Sequence, residues 1–245
     1  MSARKKVAWV HFDVDKCGIN RRSEQLLYRK FDKLFVVSDE GKRKFDLMFP
    51  TESCKSEIFH NIIDSKEIRR LSESETPDFK HDCINIVTVG RISREKGQAL
   101  AVKALALLVQ KGYTVNWTFV GGGNYETDIR KIADRLNVKH LINITGPVKN
   151  PYPYMKGCDI YVQPSEHEGF CITLAEAKLF GMPIVATDFT GAKEQLANYP
   201  NSFVVAHTAE VIADTIAFII SYQSSRASAF ITDFDSDLNK FYTLL

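Results

Sequence analysis

The chain has 245 residues, 44% hydrophobic and 25% charged, enough apolar material for a sizeable core and ordinary for a soluble globular protein. Its net charge of +2 is too balanced for a dedicated nucleic-acid-binding face. Five cysteines (Cys17, Cys54, Cys83, Cys158, Cys171), odd in number and without C-x-x-C spacing, argue against a disulfide framework or a zinc site and suit a reducing cytosol.

Behind the basic start "MSARKK", the apolar run "VAWVHF" is too short for a signal peptide or a membrane span and reads as a strand. "KLFVVS" and "SEIFHNII" read as further strands, with helices over 23–31, 40–48 and 65–71. The polar, proline-bearing "SESETPDFKHD" is the linker candidate. Beyond it come strand "CINIVTVG", helix 95–110, strand "VNWTFVG", helix 125–136, strand "LINITG" and a short helix at 152–156. Strand "DIYVQP", helix 173–180, strand "PIVAT", helix 191–197, strand "SFVVA" and helix 208–221 complete the alternation. Continuous apolar strands separated by helices predict parallel sheets covered on both faces, so residues 79–224 make a complete doubly wound α/β unit. The part before the linker amounts to half of one, and the aromatic-rich tail "ASAFITDFDSDLNKFYTLL" predicts a final helix.

Ligands of open parallel sheets sit at the carboxyl ends of the strands, which directs attention to the loops there. "VGRISREKG" offers Gly90 for close backbone approach and two cations, Arg91 and Lys96, suited to a diphosphate, although alone the pair equally fits solvated charges before a helix. In "VGGGNYE" three glycines, Gly122 among them, run into a helix and let backbone N–H groups reach an anion or a ribose, yet the loop fits neither G-x-G-x-x-G nor a phosphate loop, which disfavours a dinucleotide. "EHEGFCITLAE" sets Glu168 and Glu176 on either side of a turn into a helix. If that helix starts near Thr173, the N–H groups of Thr173 and Leu174 face an anion, with a carboxylate on each side of it. A nucleotide sugar has that layout: sugar hydroxyls, diphosphate, ribose hydroxyls. The bland reading is a pair of surface acids.

Together, "PSEHEGFCITLAEAKLFGMPIVATDFTGAKEQL", "VGRISREKG", "FVGGG" and "TGPVKNPYPYMKGCDIYV" closely resemble the donor-binding domain of the group 1 glycosyltransferases, retaining enzymes of the GT-B fold, over residues 84–222. The E-x7-E pattern of that family is Glu168 to Glu176 here. The resemblance implies a GT-B-like α/β fold with a truncated acceptor-side half-domain at 1–78, a Rossmann-like donor domain at 79–226, and a C-terminal helix at 227–245 that packs back on the N-terminal part. It implies that Arg91 and Lys96 hold the donor diphosphate and that Glu168 contacts the transferred sugar. The backbone from Gly169 through Phe170, Cys171 and Thr173 to Leu174 supports sugar and phosphate, Glu176 binds the ribose, and the segment near Val148 receives the base. His11 stands where the family often has a histidine facing the sugar, though one histidine ending a strand is as readily structural. Measured against the family pattern, the chain reads as lacking about a hundred residues of the acceptor domain.

The activity implied is a retaining transfer from a nucleotide sugar, UDP being the commonest family choice, to a saccharide or lipid-linked acceptor in polysaccharide or cell-surface glycan synthesis, without cofactor or metal. A nucleotide-sugar-binding fragment without turnover is the rival, and a GT-B-like epimerase or phosphorylase a third; a phosphorylase cofactor-lysine motif is not found. A cytoplasmic protein is implied, with the basic "NRRSEQLLYRKFDK" either touching anionic lipid at the inner face of the membrane or forming a solvated helix face. "DVDKCGINRRSE" imitates a calcium loop but has Cys17 at a ligand position and follows a strand, and Asp13 and Asp15 imitate a metal-binding D-x-D outside its context.

Overall fold

Both halves of the chain fold as parallel sheets, because their apolar strands are joined by helices long enough to cross over. The computed structural model describes residues 5–15, 18, 20–74 and 77–226. Strands β1 (Val7–Val10), β2 (Lys33–Val36) and β3 (Ser56–Ile58) form a parallel three-stranded sheet of order β1-β2-β3. They are linked by α1 (Arg21–Tyr28) and α2 (Asp39–Met48), and α3 (Ser65–Ser72) follows. All three helices start on a side-chain cap: Asn20, Ser38 and Asp64 accept from the first-turn N–H groups. Strand alternation decides the faces. Val10, Leu34 and Val36 pack with Tyr28, Phe45 and Phe49, whereas Trp9, Phe35 and Phe59 gather on the opposite face with ring centroids 5.0 to 6.1 Å apart.

The second sheet has six parallel strands: β4 (Ile84–Val89), β5 (Val115–Val120), β6 (Ile142–Ile144), β7 (Ile160–Gln163), β8 (Ile184–Thr187) and β9 (Ser202–Val205). Its order is β6-β5-β4-β7-β8-β9, so the winding reverses between β4 and β7, where an open α/β sheet has its crevice. Helices α4 (Gln98–Gln110), α5 (Glu126–Arg135) and α9 (Ala209–Arg226) bury Leu105, Ile129 and Ile216 with Trp117 on one face. Helices α6 (Tyr152–Gly157), α7 (Ile172–Ala177) and α8 (Ala192–Leu196) bury Met155, Leu174 and Leu196 with Tyr161 on the other. At the centre of this sheet the buried polar groups are paired: the Trp117 indole donates to Thr88 Oγ1 at 3.1 Å, and that hydroxyl donates to the Val162 carbonyl at 2.7 Å.

Several boundaries depart from the sequence expectation, among them α1, expected over 23–31 and found at Arg21–Tyr28. The strand over "SEIFHNII" stops at Ile58, and the rest runs out as a loop with Ile62 84% exposed. The helix over 95–110 is split: a 3-10 turn covers Arg94–Lys96, Gly97 turns left-handed at φ 72°, and α4 starts at Gln98. A Cβ on Gly97 would stand 1.8 Å from the Pro164 carbonyl oxygen, so the approach of two loops breaks the helix. Helix α7 ends at Ala177, followed by a 3-10 turn at Lys178–Phe180, and α9 runs on to Arg226. The helix expected at 227–245 lies outside the described residues.

The sheets meet through reciprocal contacts. Glu194 of α8 accepts from the N–H groups of Asp39 and Glu40 at 2.9 and 3.3 Å, and Glu40 accepts from the Gly191 N–H at 3.1 Å. Nearby, Lys44 donates to Asp13 at 3.1 Å and to Thr190 at 2.6 Å, and the Thr190 hydroxyl donates to Asp13. Lys44 also donates to Asp15 at 3.2 Å, so the two aspartates of the imitation metal motifs are partners of a lysine.

Gly97→Ala is expected to cost more stability in urea unfolding than Gly112→Ala, which shares the positive φ (72° against 86°) but has open space where the Cβ would go. Strain alone costs about 1–3 kcal/mol at each site. The excess at Gly97 measures the Pro164 contact, and equal losses would mean that the loop moves aside freely.

Candidate functional site

The loops after β4 and β7 lie side by side at the reversal of strand order. The Glu166 N–H donates to the Glu95 carbonyl at 2.8 Å, and Gly97 packs on Pro164. Docked this way, the loops bring Lys96 Nζ to both carboxylate oxygens of Glu168, at 2.7 and 2.9 Å. The Glu168 side chain is only 9% exposed, and the Ser165 hydroxyl donates to it at 2.7 Å. A pair so far out of water persists because hydrogen bonds satisfy it as well as charge.

Around this pair opens a cleft of about 500 Å³. Gly90, Arg91 and Lys96 form one wall, and Glu168, Gly169, Phe170, Cys171 and Thr173 the other. His11 and Asn61 reach it from the three-stranded sheet. That lobe comes very close: a Cβ on Gly169 would stand 1.8 Å from the His11 carbonyl oxygen, so only glycine allows the contact. Arg91 is 72% exposed and turns to Glu95 at 3.2 Å. The Ser93 hydroxyl, with Arg91 behind it, holds the Glu95 carboxyl below the usual range.

Other expected residues stand apart from that cleft. Glu176, on α7, accepts from the Tyr152 hydroxyl at 3.0 Å. Burial pushes its carboxyl above the ordinary range, only partly offset by Tyr152, whose own hydroxyl is pushed up to about 12 by burial and by Glu176. Val148 packs among the core side chains of that face, and a Cβ on Gly122 would meet Pro147 at 2.8 Å. The expected outward-facing N–H of Leu174 is a correction: it turns back to the Cys171 carbonyl at 3.1 Å, because the helix already starts at Ile172 and closes its first turn there. Cys171 precedes it at φ 43°, an uncommon conformation for a non-glycine residue. Burial pushes the Cys171 thiol far up, which leaves it inert as a nucleophile.

The sequence pattern did not single out Asn61, Glu95, Gln163 or Tyr152; only Glu95 carried a signal, by standing in the loop after a strand, whereas Asn61 fell inside the expected strand "SEIFHNII". Among the described residues, Asp39, His60 and Glu194 place potential metal-ligand atoms within 4.8 Å of one another. Glu194 already accepts the α2 N–H groups there, and His60 Nε2 lies 3.2 Å from it, so the group reads as an inter-lobe contact.

A doubly wound six-stranded sheet whose crevice is faced by a second Rossmann-like sheet is the GT-B glycosyltransferase architecture. The fold is shared with Anabaena HepE in complex with UDP-glucose, at a TM-score of 0.74 and 21% identity over 89% of this chain and 63% of that one. A glycosyltransferase from Rickettsia africae superposes at a TM-score of 0.73 and 19% identity, over 88% of this chain and 60% of that one. Residues 70–231 match the family model described as glycosyl transferases group 1, and the chain belongs to that family. Relatives include a Campylobacter jejuni N-acetylgalactosaminyltransferase acting on a diphospho-undecaprenol-linked saccharide, 27% identical over 72% of this chain and 47% of that protein. Another is the capsular polysaccharide biosynthesis glycosyltransferase CapM of Staphylococcus aureus, 28% identical over 64% of this chain and 43% of that protein. The chain spans about half the length of the curated relatives it matches.

Because Glu176 is held above its unfolded value, its ionised form opposes folding at neutral pH, and the penalty fades as pH falls through the raised value. Glu176→Gln is therefore expected to raise the thermal midpoint at pH 7, with the gain shrinking as pH falls into the ordinary glutamate range. A gain constant with pH would mean that the carboxylate is not penalised.

Proposed function

We propose that this protein transfers a sugar from a nucleoside diphosphate sugar, a UDP-sugar, to a saccharide or lipid-linked acceptor in cell-surface glycan synthesis. The observation that carries this reading is the Lys96–Glu168 pair beside Arg91 at the carboxyl ends of β4 and β7. Departure of the nucleoside diphosphate leaves an oxocarbenium-like centre and builds negative charge on the leaving oxygens. Lys96, 22% exposed, and Arg91, 72% exposed, supply two cations to answer that charge without calling on a divalent ion.

Glu168 faces the sugar, Glu176 takes the ribose hydroxyls, the segment at Val148 takes the base, and His11 reaches the sugar from the other lobe. Glu168 is already held by Lys96 and Ser165, which supports front-side attack by the acceptor hydroxyl, with retention, over attack by a carboxylate. UDP as carrier is supported by the complexes of HepE, and a lipid-linked acceptor by the Campylobacter jejuni relative. No described helix is long and apolar enough to cross a membrane. Contact with a cytoplasmic membrane face falls to α1, where Leu26 and Leu27 are exposed beside Arg21, Arg22, Arg29 and Lys30. A nucleotide-sugar-binding protein without turnover is the second reading.

Calorimetric titration with UDP, UDP-glucose, GDP and GDP-mannose tests the donor site. UDP and UDP-glucose are expected to bind, and Lys96→Ala to weaken UDP roughly 10- to 100-fold, the usual loss of a hydrogen bond to a charged group. Failure of all four ligands to bind would overturn the proposal. Release of free sugar from UDP-glucose, or its transfer to an added acceptor, separates the enzyme from the binding protein.

A further inference from the structure

Gln163, the last residue of β7, is 1% exposed, a polar amide where the strand pattern calls for an apolar side chain. Its surroundings account for each of its strong hydrogen-bonding groups. The Tyr161 hydroxyl donates to Gln163 Oε1 at 2.8 Å and the Thr173 hydroxyl to the same oxygen at 3.3 Å. Gln163 Nε2 donates to Ser165 Oγ at 2.9 Å and stands 3.5 Å from Glu168 Oε1. The Ser165 hydroxyl completes the chain by donating to Glu168 at 2.7 Å.

Only one polarity satisfies this arrangement. An ionised carboxylate can only accept, so Ser165 must donate to it and receive its own hydrogen bond from the Gln163 amide N–H. The amide carbonyl is then left facing two hydroxyls, both of which can donate. Tyr161 is 0% exposed and Ser165 1%, so solvent cannot substitute for a missing member, and buried chains of this kind are costly when only partly satisfied. A further anchor is Thr187, whose hydroxyl donates to the Ser165 carbonyl at 2.5 Å.

We propose that Gln163 is a positioning residue that, locked by Tyr161 and Thr173 and acting through Ser165, sets the orientation of Glu168 toward the donor sugar. The inference rests on the donor-site reading and deepens it. Gln163 is 1% exposed and is not among the residues that line the cleft. Its influence falls chiefly on the sugar end of the cleft, where Glu168 stands, and reaches the nucleotide end only through the Lys96 ion pair.

The test is calorimetry on the intact chain with two probes, UDP and UDP-glucose. Gln163→Met keeps the volume and removes the donor and both acceptances; Ser165→Ala breaks the chain one link further on. Both are expected to weaken UDP-glucose at least roughly tenfold while UDP changes less than about threefold. Gln163→Glu adds a pH signature. Ionised, the introduced carboxyl leaves Ser165 with two acceptors and no donor; protonated, it again carries one donor and one acceptor. UDP-glucose binding by Gln163→Glu should therefore recover relative to wild type as pH falls, beyond the change that Glu176, common to both proteins, imposes. Proportional loss of both ligands, or unchanged UDP-glucose binding at an unchanged thermal midpoint, would overturn the assignment. A wild type that binds neither ligand overturns the donor reading itself, and this inference with it.

Discussion

The close approach of Gly97 to Pro164 is the constraint on which the site depends. Two loops leave adjacent parallel strands at the point where the winding reverses, and in most such sheets they would diverge. Here the missing Cβ at Gly97 lets the backbones touch, and the Glu166 N–H to Glu95 carbonyl bond fastens them. Lys96 and Glu168, distant in sequence, then become an ion pair. The cleft, its charge and its polarity follow from that docking.

Burial then tunes what docking has assembled. Glu168 keeps its place because a lysine and a serine serve it, and behind the serine stands an amide whose partners fix its direction. Glu176 has one hydroxyl partner against a large desolvation cost, so its carboxyl is held above the ordinary range. A carboxylate retained in such surroundings lowers stability, which is reasonable where a ligand with hydroxyl donors is to be bound. The second lobe is held to the first by exchanged helix caps, Glu194 on α2 and Glu40 on the Gly191 N–H. These contacts place the His11 carbonyl on Gly169 at the mouth of the cleft.

Much of the architecture was legible because strand-length apolar runs and amphipathic helices alternate without interruption, and local pattern and tertiary fold agree. Where they disagree, a distant contact decides. "SREKGQALAV" reads as continuous helix, yet Gly97 breaks it because Pro164 lies against it, and no local signal could show that. "SEIFHNII" is apolar enough for a long strand but ends at Ile58, which frees Asn61 to reach the cleft. The grouping of Arg91, Lys96, Glu168 and Thr173 was readable from loop positions at strand ends. Gln163 and Tyr152 were not: a glutamine inside an apolar strand and a tyrosine opening a short helix acquire meaning only once their partners are placed.

A crystal structure of the chain grown with UDP-glucose decides whether the crevice between β4 and β7 holds a nucleoside diphosphate sugar. The diphosphate is expected against Arg91 and Lys96, the glucose at Glu168, the ribose on Glu176 and the uracil near Val148. A nucleotide bound in the reverse direction, or outside that crevice, would contradict it.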